Sequence, residues 1–555
     1  MKHLLLTTFC LLICTFSLMA QRNNNARIIG NIQSNANFFV TDSAIGAFGT
    51  PQYDYQKFGA ETWLNLNYSN WGFDVNVRFD MFNTSNLLNP NGSFTGKGIG
   101  RWFIRKTIDK FDVSAGYIYD QIGSGIIFRA YEERSLLIDN ALLGARVGYQ
   151  INKNWKAKAF MGQVKRQFDL YGATVRGANI EGFIQPDSTK NFSLAPGFGV
   201  VGRTYDDETV DQIVKTISTY APQDSTGAQY NTYAATLYNT LTVGPVNWYI
   251  EGALKTNDVI NDPLALTVDG VRGKLSNRKG YTVYSSLSYA KKGLGITLEL
   301  KRTKDFSFRN SPFVIGVQGA INFLPPMAKQ NTYRLTARFS PNTQELGEQA
   351  IQLDVKYKIN KKLSVGLNFS DITLIDGGGF LNLNGVTQLY REIAPEFTFK
   401  HKRKWQFIGG VQFLEYNIGL YQGKGDFVHA VTPFAEWLYK FSPRKSLRIE
   451  AQYLSTEEEF GSWANVLAEF GWAPHWLIYA SDMYKVPHQD PNKYTEEKVK
   501  YDGLHYPSVG VVYSIKASRF SLAYVKQVEG INCAGGICRY EPTFHGVRIQ
   551  FTSNF

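Results

Sequence analysis

The final stretch from Gly546 to Phe555, GVRIQFTSNF, sets Val547, Ile549 and Phe551 on one side and Arg548, Gln550, Thr552 and Asn554 on the other. A β-strand points successive side chains to opposite faces, so this is a strand with one apolar and one polar face. A half-buried strand of a soluble sheet alternates in the same way, so one strand does not decide the fold. The decision rests on whether the pattern recurs along the chain.

It does recur. From Trp71 to Met81, Trp71, Phe73, Val75, Val77, Phe79 and Met81 alternate with Asp74, Asn76, Arg78 and Asp80. The same reading predicts strands at Leu294–Lys301, Tyr333–Phe339, Ile351–Ile359 and Leu447–Tyr453, and the first clear strand over Ala26–Val40. Many such strands, evenly spread, favour one large barrel over a sandwich. Short connections, such as Asn152–Asn154, Gly244-Pro245 and Asn360–Lys362, alternate with long ones: Thr41–Gln56, Asn83–Lys97, Asn257–Lys279, Thr373–Tyr390, Val486–His505 and Val528–Phe544. That is the periplasmic-turn and extracellular-loop asymmetry of outer-membrane barrels, and a last strand with a terminal aromatic resembles their closing strand. The expected fold is all-β, a transmembrane antiparallel β-barrel of about 24 strands, within roughly 22 to 26, because bacterial single-chain barrels use even numbers. Two regions stay open: Leu170–Tyr205 reads as a hairpin or a loop, and Phe306–Gln330 as an apolar strand or an apolar loop. Asp206–Tyr220 predicts a helix, with Val210, Ile213, Val214, Ile217 and Tyr220 on one face and Asp206 or Asp207 as its cap.

Met1-Lys2-His3, the apolar run Leu4–Leu18 and Met19-Ala20-Gln21 read as a signal peptide over 1–20, leaving 21–555 as a single barrel. A composition of 44% hydrophobic and 14% aromatic residues, with negative mean hydropathy, suits strands with one lipid-facing side. The formal charge of +12 collects in predicted turns such as Lys400–Lys404 and Arg444-Lys445. There it either meets anionic head groups or merely keeps turns solvated; an exported chain makes nucleic acid an unsuitable partner. Cys533 and Cys538 remain after the signal and predict a disulfide stapling one loop.

One segment breaks the alternation. Tyr117–Tyr149, YIYDQIGSGIIFRAYEERSLLIDNALLGARVGY, concentrates Arg129, Glu132, Glu133, Arg134 and Asp139, followed by Arg146. Gly123 and Gly125 permit a sharp fold-in, and Ile126-Ile127-Phe128 argues against a fully solvated loop. The expectation is a segment folded into the lumen, these six charged residues lining a constriction, because even 16–18 strands leave an aqueous channel. The run Tyr119, Gly123-Ser124-Gly125, Arg129, Tyr131-Glu132-Glu133-Arg134, Ile138-Asp139-Asn140 and Gly144-Ala145-Arg146 resembles a family of large outer-membrane barrels of the Bacteroidota with no assigned function. The resemblance implies barrel and location, and supplies no substrate and no catalytic residues.

Catalysis finds no support in the motifs. There is no HExxH and no GxSxG; of the histidines His401, His429, His475, His488, His505 and His545, His401 and His475 fall in predicted turns and His429, His488 and His505 in predicted loops. The expectation is therefore no enzyme, no cofactor and no metal, but a multi-pass outer-membrane pore for small solutes, its solute unnamed. The alternative is a plugged accessory subunit of a larger outer-membrane secretion, assembly or uptake complex. Outer-membrane lipid is the expected partner, joined in that second reading by other outer-membrane proteins.

Overall fold

The computed structural model describes residues 26–555 apart from 89–90, 137, 187–190, 315–317, 376–386, 424, 426, 492–493, 495 and 535–536, and without the side chains of 135, 422, 497–498 and 531–540. The predicted signal peptide lies outside the described residues.

A single antiparallel sheet of 24 strands closes on itself. The first strand, Arg27–Phe39, pairs on one side with Phe58–Asn70 and on the other with the last strand, Phe544–Asn554. Closure is tightened at Gly30, whose N–H donates to the Phe555 carbonyl at 2.7 Å. The absence of a side chain at Gly30 gives room to the Phe555 ring, which a Cβ there would meet at 2.3 Å and push aside. Every strand finds two neighbours, so no edge is left with unpaired backbone groups.

Burial inverts the pattern of a soluble protein. On Phe73–Ser85, Asn76, Arg78 and Asp80 are buried while Phe79 and Met81 are exposed. The same holds around the ring, with Glu251, Lys255, Lys301, Glu392 and Gln412 buried and Leu254, Leu300, Ile393 and Phe413 exposed. A closed barrel standing in lipid requires this inversion. Exposed Trp71, Phe111, Phe441, Trp472 and Trp476 cluster where short connections join the strands, in the place of an aromatic girdle. Among the described residues no helix is long and apolar enough to cross a membrane.

The two open regions resolve differently. Leu170–Tyr205 holds the paired strands Asp169–Gly182 and Phe192–Thr204, whereas Phe306–Gln330 contains no ladder strand among its described residues. The helix forms over Asp207–Ile217, capped by the Asp206 carboxylate, and buries Val210, Ile213 and Ile217 against Ala173, Tyr205, Val259 and Leu275.

Three readings need correction. Tyr333–Phe339 is no strand: the Ala337 N–H donates to the Tyr333 carbonyl at 3.0 Å, a helix-like turn. Seven alternating residues also contain the i, i+4 pairs Leu335–Phe339 and Arg334–Arg338, so the two periods cannot be told apart over so short a run. Asn257–Lys279 is mostly strand, because Val246–Leu266 and Arg272–Lys291 stay paired through two register shifts that absorb its turn-forming residues. His429 and His505 sit on strands Phe427–Ser442 and His505–Ile515 and not in loops. Cys533 and Cys538 face each other across the hairpin Gly530–Ala534/Ile537–Glu541, but the disulfide itself rests on side chains outside the described residues.

Candidate functional site: two segments against the polar face of the wall

The polar face of Phe73–Ser85 presents Arg78, and three carboxylates gather on it. Its Nε and Nη2 donate to both oxygens of Asp80 at 2.7 and 2.8 Å, Nη2 also donates to Asp139 at 3.1 Å, and Nη1 donates to Glu132. Asp139 further accepts from Lys165 and from the Tyr119 hydroxyl at 2.7 Å. Arg134 donates to Glu132 at 3.1 Å and to Gln33 at 3.0 Å. Burial by itself raises the Asp139 pKa, but Lys165 and Arg78 outweigh it and hold the carboxyl below its ordinary value. Burial together with Asp139 and Glu132 pushes the Tyr119 hydroxyl well up. A buried cation with several carboxylates around it holds two pieces of chain together only while all partners are present.

Of the charged residues expected at a constriction, the structure brings Glu132, Arg134 and Asp139 together. Glu133 stands opposite Ile138 in the small hairpin Glu132–Glu133/Ile138–Asp139. Arg129 lies over the rings of Tyr131 and Phe323, 4.6 and 4.1 Å from their centres, a cation–π arrangement. Arg146 is apart from the cluster, on wall strand Leu142–Gln150, donating to Asp120 at 2.6 Å and Asp112 at 2.8 Å. Asp74, on the polar side of the same strand as Arg78, lies apart from the cluster and accepts from the Ser69 hydroxyl near a turn. Sequence reasoning missed Lys165, and it read Arg78 only as one polar residue among several. Arg78 was legible as a polar-face residue, but Lys165 falls by parity with Ala157, Ala159 and Met161, and only the register shift between Gln163 and Lys165 turns it to the polar face, so no sequence signal marked it.

Between these charges lies an apolar stretch. Ile122, Ile126 and Ile127 are fully buried, and Phe128 stacks on Phe160 at 4.3 Å. Gly123 and Gly125 have φ of 54° and 102°, the left-handed region that glycine adopts freely. Gly123 also lies so close to Glu251 that a Cβ would meet its carboxylate at 2.6 Å. The adjacent Ser124 N–H donates to that carboxylate at 2.9 Å.

A second segment, 305–346, packs on the same face and was not singled out from the sequence as part of a site. Two backbone bonds join it to the first: Arg129 N–H to the Ile321 carbonyl and Phe323 N–H to the Gly125 carbonyl, each 2.9 Å. Side chains of the wall hold its main chain. Lys255 donates to the Ser307 carbonyl, Arg203 to the Arg309 carbonyl at 2.8 Å, and Lys301 to the Pro325 carbonyl. Farther round the ring, Gln412 donates to the Thr336 carbonyl at 3.1 Å and Gln452 accepts from the Leu335 N–H at 2.7 Å. Phe306 and Phe308 are fully buried, and Ile321 and Leu335 nearly so. Between segments and wall remain separate cavities of about 310, 360 and 530 Å³.

The fold and these contacts define a closed β-barrel whose polar face is engaged by two irregular segments of its own chain. The chain belongs to the family of unknown function DUF6029, whose model matches residues 1–555. No curated protein matches it. Among solved structures it is similar to the siderophore receptor PirA of Pseudomonas aeruginosa, at 8% identity and a TM-score of 0.39, covering 95% of this chain and 80% of that one. It is also similar to OpdK of Pseudomonas aeruginosa, solved with vanillate, at 11% identity and a TM-score of 0.37, covering 82% and 98%. The P pilus usher PapC translocation pore matches at 8% identity and a TM-score of 0.37, covering 95% and 99%. Similarity at this level transfers no ligand and no mechanism.

Proposed function

We propose that this chain, exported after loss of residues 1–20, is a multi-pass outer-membrane barrel that acts as a narrow channel for small solutes, with long loops outside the cell. Residues 119–141 and 305–346 fill its lumen and set its width. The observation that carries this reading is the pair of segments on the polar face of a ring of 24 strands, with cavities of about 310, 360 and 530 Å³ between them and the wall. A ring of this size without filling leaves a wide aqueous channel. The reading involves no catalysis, and lipid is the surrounding partner.

A second reading is a fully plugged accessory subunit of a larger outer-membrane complex. It is favoured by the continuous apolar packing of Ile126, Ile127, Phe128, Phe306 and Phe308, all buried. Single-channel recording separates the two. The channel reading expects small, resolvable steps from the purified barrel and a several-fold rise in conductance on deleting residues 122–137, with sensitisation of cells to large antibiotics. A silent wild type and an unchanged deletion variant would leave the accessory reading standing.

A further inference from the structure

Among the described residues, most cations that this protein buries or half-buries on its polar face have a carboxylate at ion-pair distance. Arg78 has Asp80, Arg203 and Lys255 share Asp258, Lys301 has Glu348, Arg391 has Asp371, and Lys485 has Asp502. Arg334 and Arg338, which protein surrounds but which open onto a cavity, have none. They lie four residues apart on the turn at Tyr333–Ala337 and so project to the same side. The Arg334 Nε meets the Met483 sulfur at 3.4 Å, and Arg338 lies over the Trp463 ring at 4.6 Å. Among the described residues neither guanidinium has a carboxylate at ion-pair distance.

Both arginines line the same cavity, about 530 Å³, at the end of the barrel where long connections meet. Arg334 is exposed to that space and Arg338 half-buried in it. Protein nonetheless surrounds both, and this burial lowers the pKa of each guanidinium, that of Arg338 to about 10. Glu459, Glu529 and Glu541 border the cavity too, and they act on the arginines across space rather than by contact. Glu529 already accepts from the Tyr501 hydroxyl at 3.0 Å, and Glu541 from Gln527 at 3.1 Å.

A guanidinium enclosed without a carboxylate is costly, and its planar fork of donors matches an oxyanion. We propose that Arg334 and Arg338 form a binding site for the carboxylate or phosphate of a small ligand entering from the long-loop end. The bordering glutamates disfavour a second negative charge, so the ligand is a monoanion or a zwitterion. This names the solute class of the channel reading and rests on it for the direction of entry. Binding itself does not require conduction.

The test therefore uses the full-length barrel in detergent, where no pore activity is needed. Propionate, alanine and inorganic phosphate are titrated at millimolar concentration and thermal unfolding is followed, with alaninamide as the cationic control. At least one of the three anionic or zwitterionic probes raises the unfolding midpoint, alaninamide does not, and Arg334→Gln/Arg338→Gln weakens the effect at least tenfold. The Arg334→Lys/Arg338→Lys variant recovers part of it. Should the glutamine variant fold poorly, wild-type protein is treated with phenylglyoxal. The effective probe slows modification of Arg334 and Arg338, read by mass spectrometry, and leaves Arg519 unaffected. The site is overturned if none of the probes stabilises the wild type, if the glutamine variant binds equally, or if the probe protects neither arginine. A silent channel with intact binding would instead overturn the pore reading alone.

Discussion

Residues 119–141 and 305–346 pack on the same wall by different means. The first is held mainly through side-chain charge: Arg78 and Lys165 of the wall meet Glu132 and Asp139. The second is held largely through its backbone, by Lys255, Lys301, Gln412 and Gln452. A charge cluster depends on every member, because removing one leaves the others buried and uncompensated. Backbone anchoring spreads the load over many independent bonds, each worth about 1 kcal/mol net. The first segment is therefore expected to release as a unit, and the second to loosen locally.

The largest effect expected is that of Arg78→Met. It leaves Asp80 without its cation and takes one of two or more cations from Glu132 and Asp139, at a cost of about 3–5 kcal/mol. Hydrogen exchange read by mass spectrometry is expected to rise across 119–141 and to stay near wild type across 325–340. Equal loss in both would mean the segments form one unit.

The wall should respond separately from either segment. Val75 lies on the apolar side and Thr297 on the polar side of their strands. Val75→Arg is expected to cost about 2–4 kcal/mol and to abolish the heat-modifiable folded band, while Thr297→Arg costs little. Asn76 is unsuited as a tolerant control, since it is fully buried and donates to Asn65, Asn67 and the Leu66 carbonyl. Equal tolerance at positions 75 and 297 would refute the facing.

A smaller effect is expected of Gln452→Leu, which deprives the Leu335 N–H of its acceptor at about 1–3 kcal/mol. Faster exchange should be confined to residues near 335. Spread of that effect to 119–141 would argue for coupling through the Arg129–Ile321 and Gly125–Phe323 bonds.

The smallest concerns pH. The Asp139 pKa is lowered in the fold, so its contribution is present above the unfolded carboxylate value and is lost as pH falls through the lowered one. Acidification below about pH 4 should thus loosen 119–141 before 305–346, measured by protease cleavage at graded pH. The reverse order would remove Asp139 from its anchoring role.

Much of the wall was legible without coordinates. Strand parity from Trp71 to Met81 correctly separated exposed Phe79 and Met81 from buried Asn76 and Arg78, and the strand number of 24 lay at the centre of the expected range. The segment Gly123–Asp139 stood out because alternation stops and charge gathers there. These features are local: side-chain direction in a strand follows from backbone geometry and needs no knowledge of neighbours. The second segment did not stand out. Phe306–Gln330 is apolar enough for a strand, and Tyr333–Phe339 alternates like one, yet among the described residues neither pairs as a barrel strand.

What the sequence by itself determined is which side of the strands it could read is apolar, the approximate number of strands, and where the pattern fails. Tertiary structure alone decided the partners: Arg78 with Asp139, Leu335 with Gln452, and the first strand with the last. The physical reason is that closing the ring brings together strands far apart in the chain. Whether a cation such as Arg334 meets a carboxylate or a cavity then depends on the three-dimensional path of a segment with no period of its own.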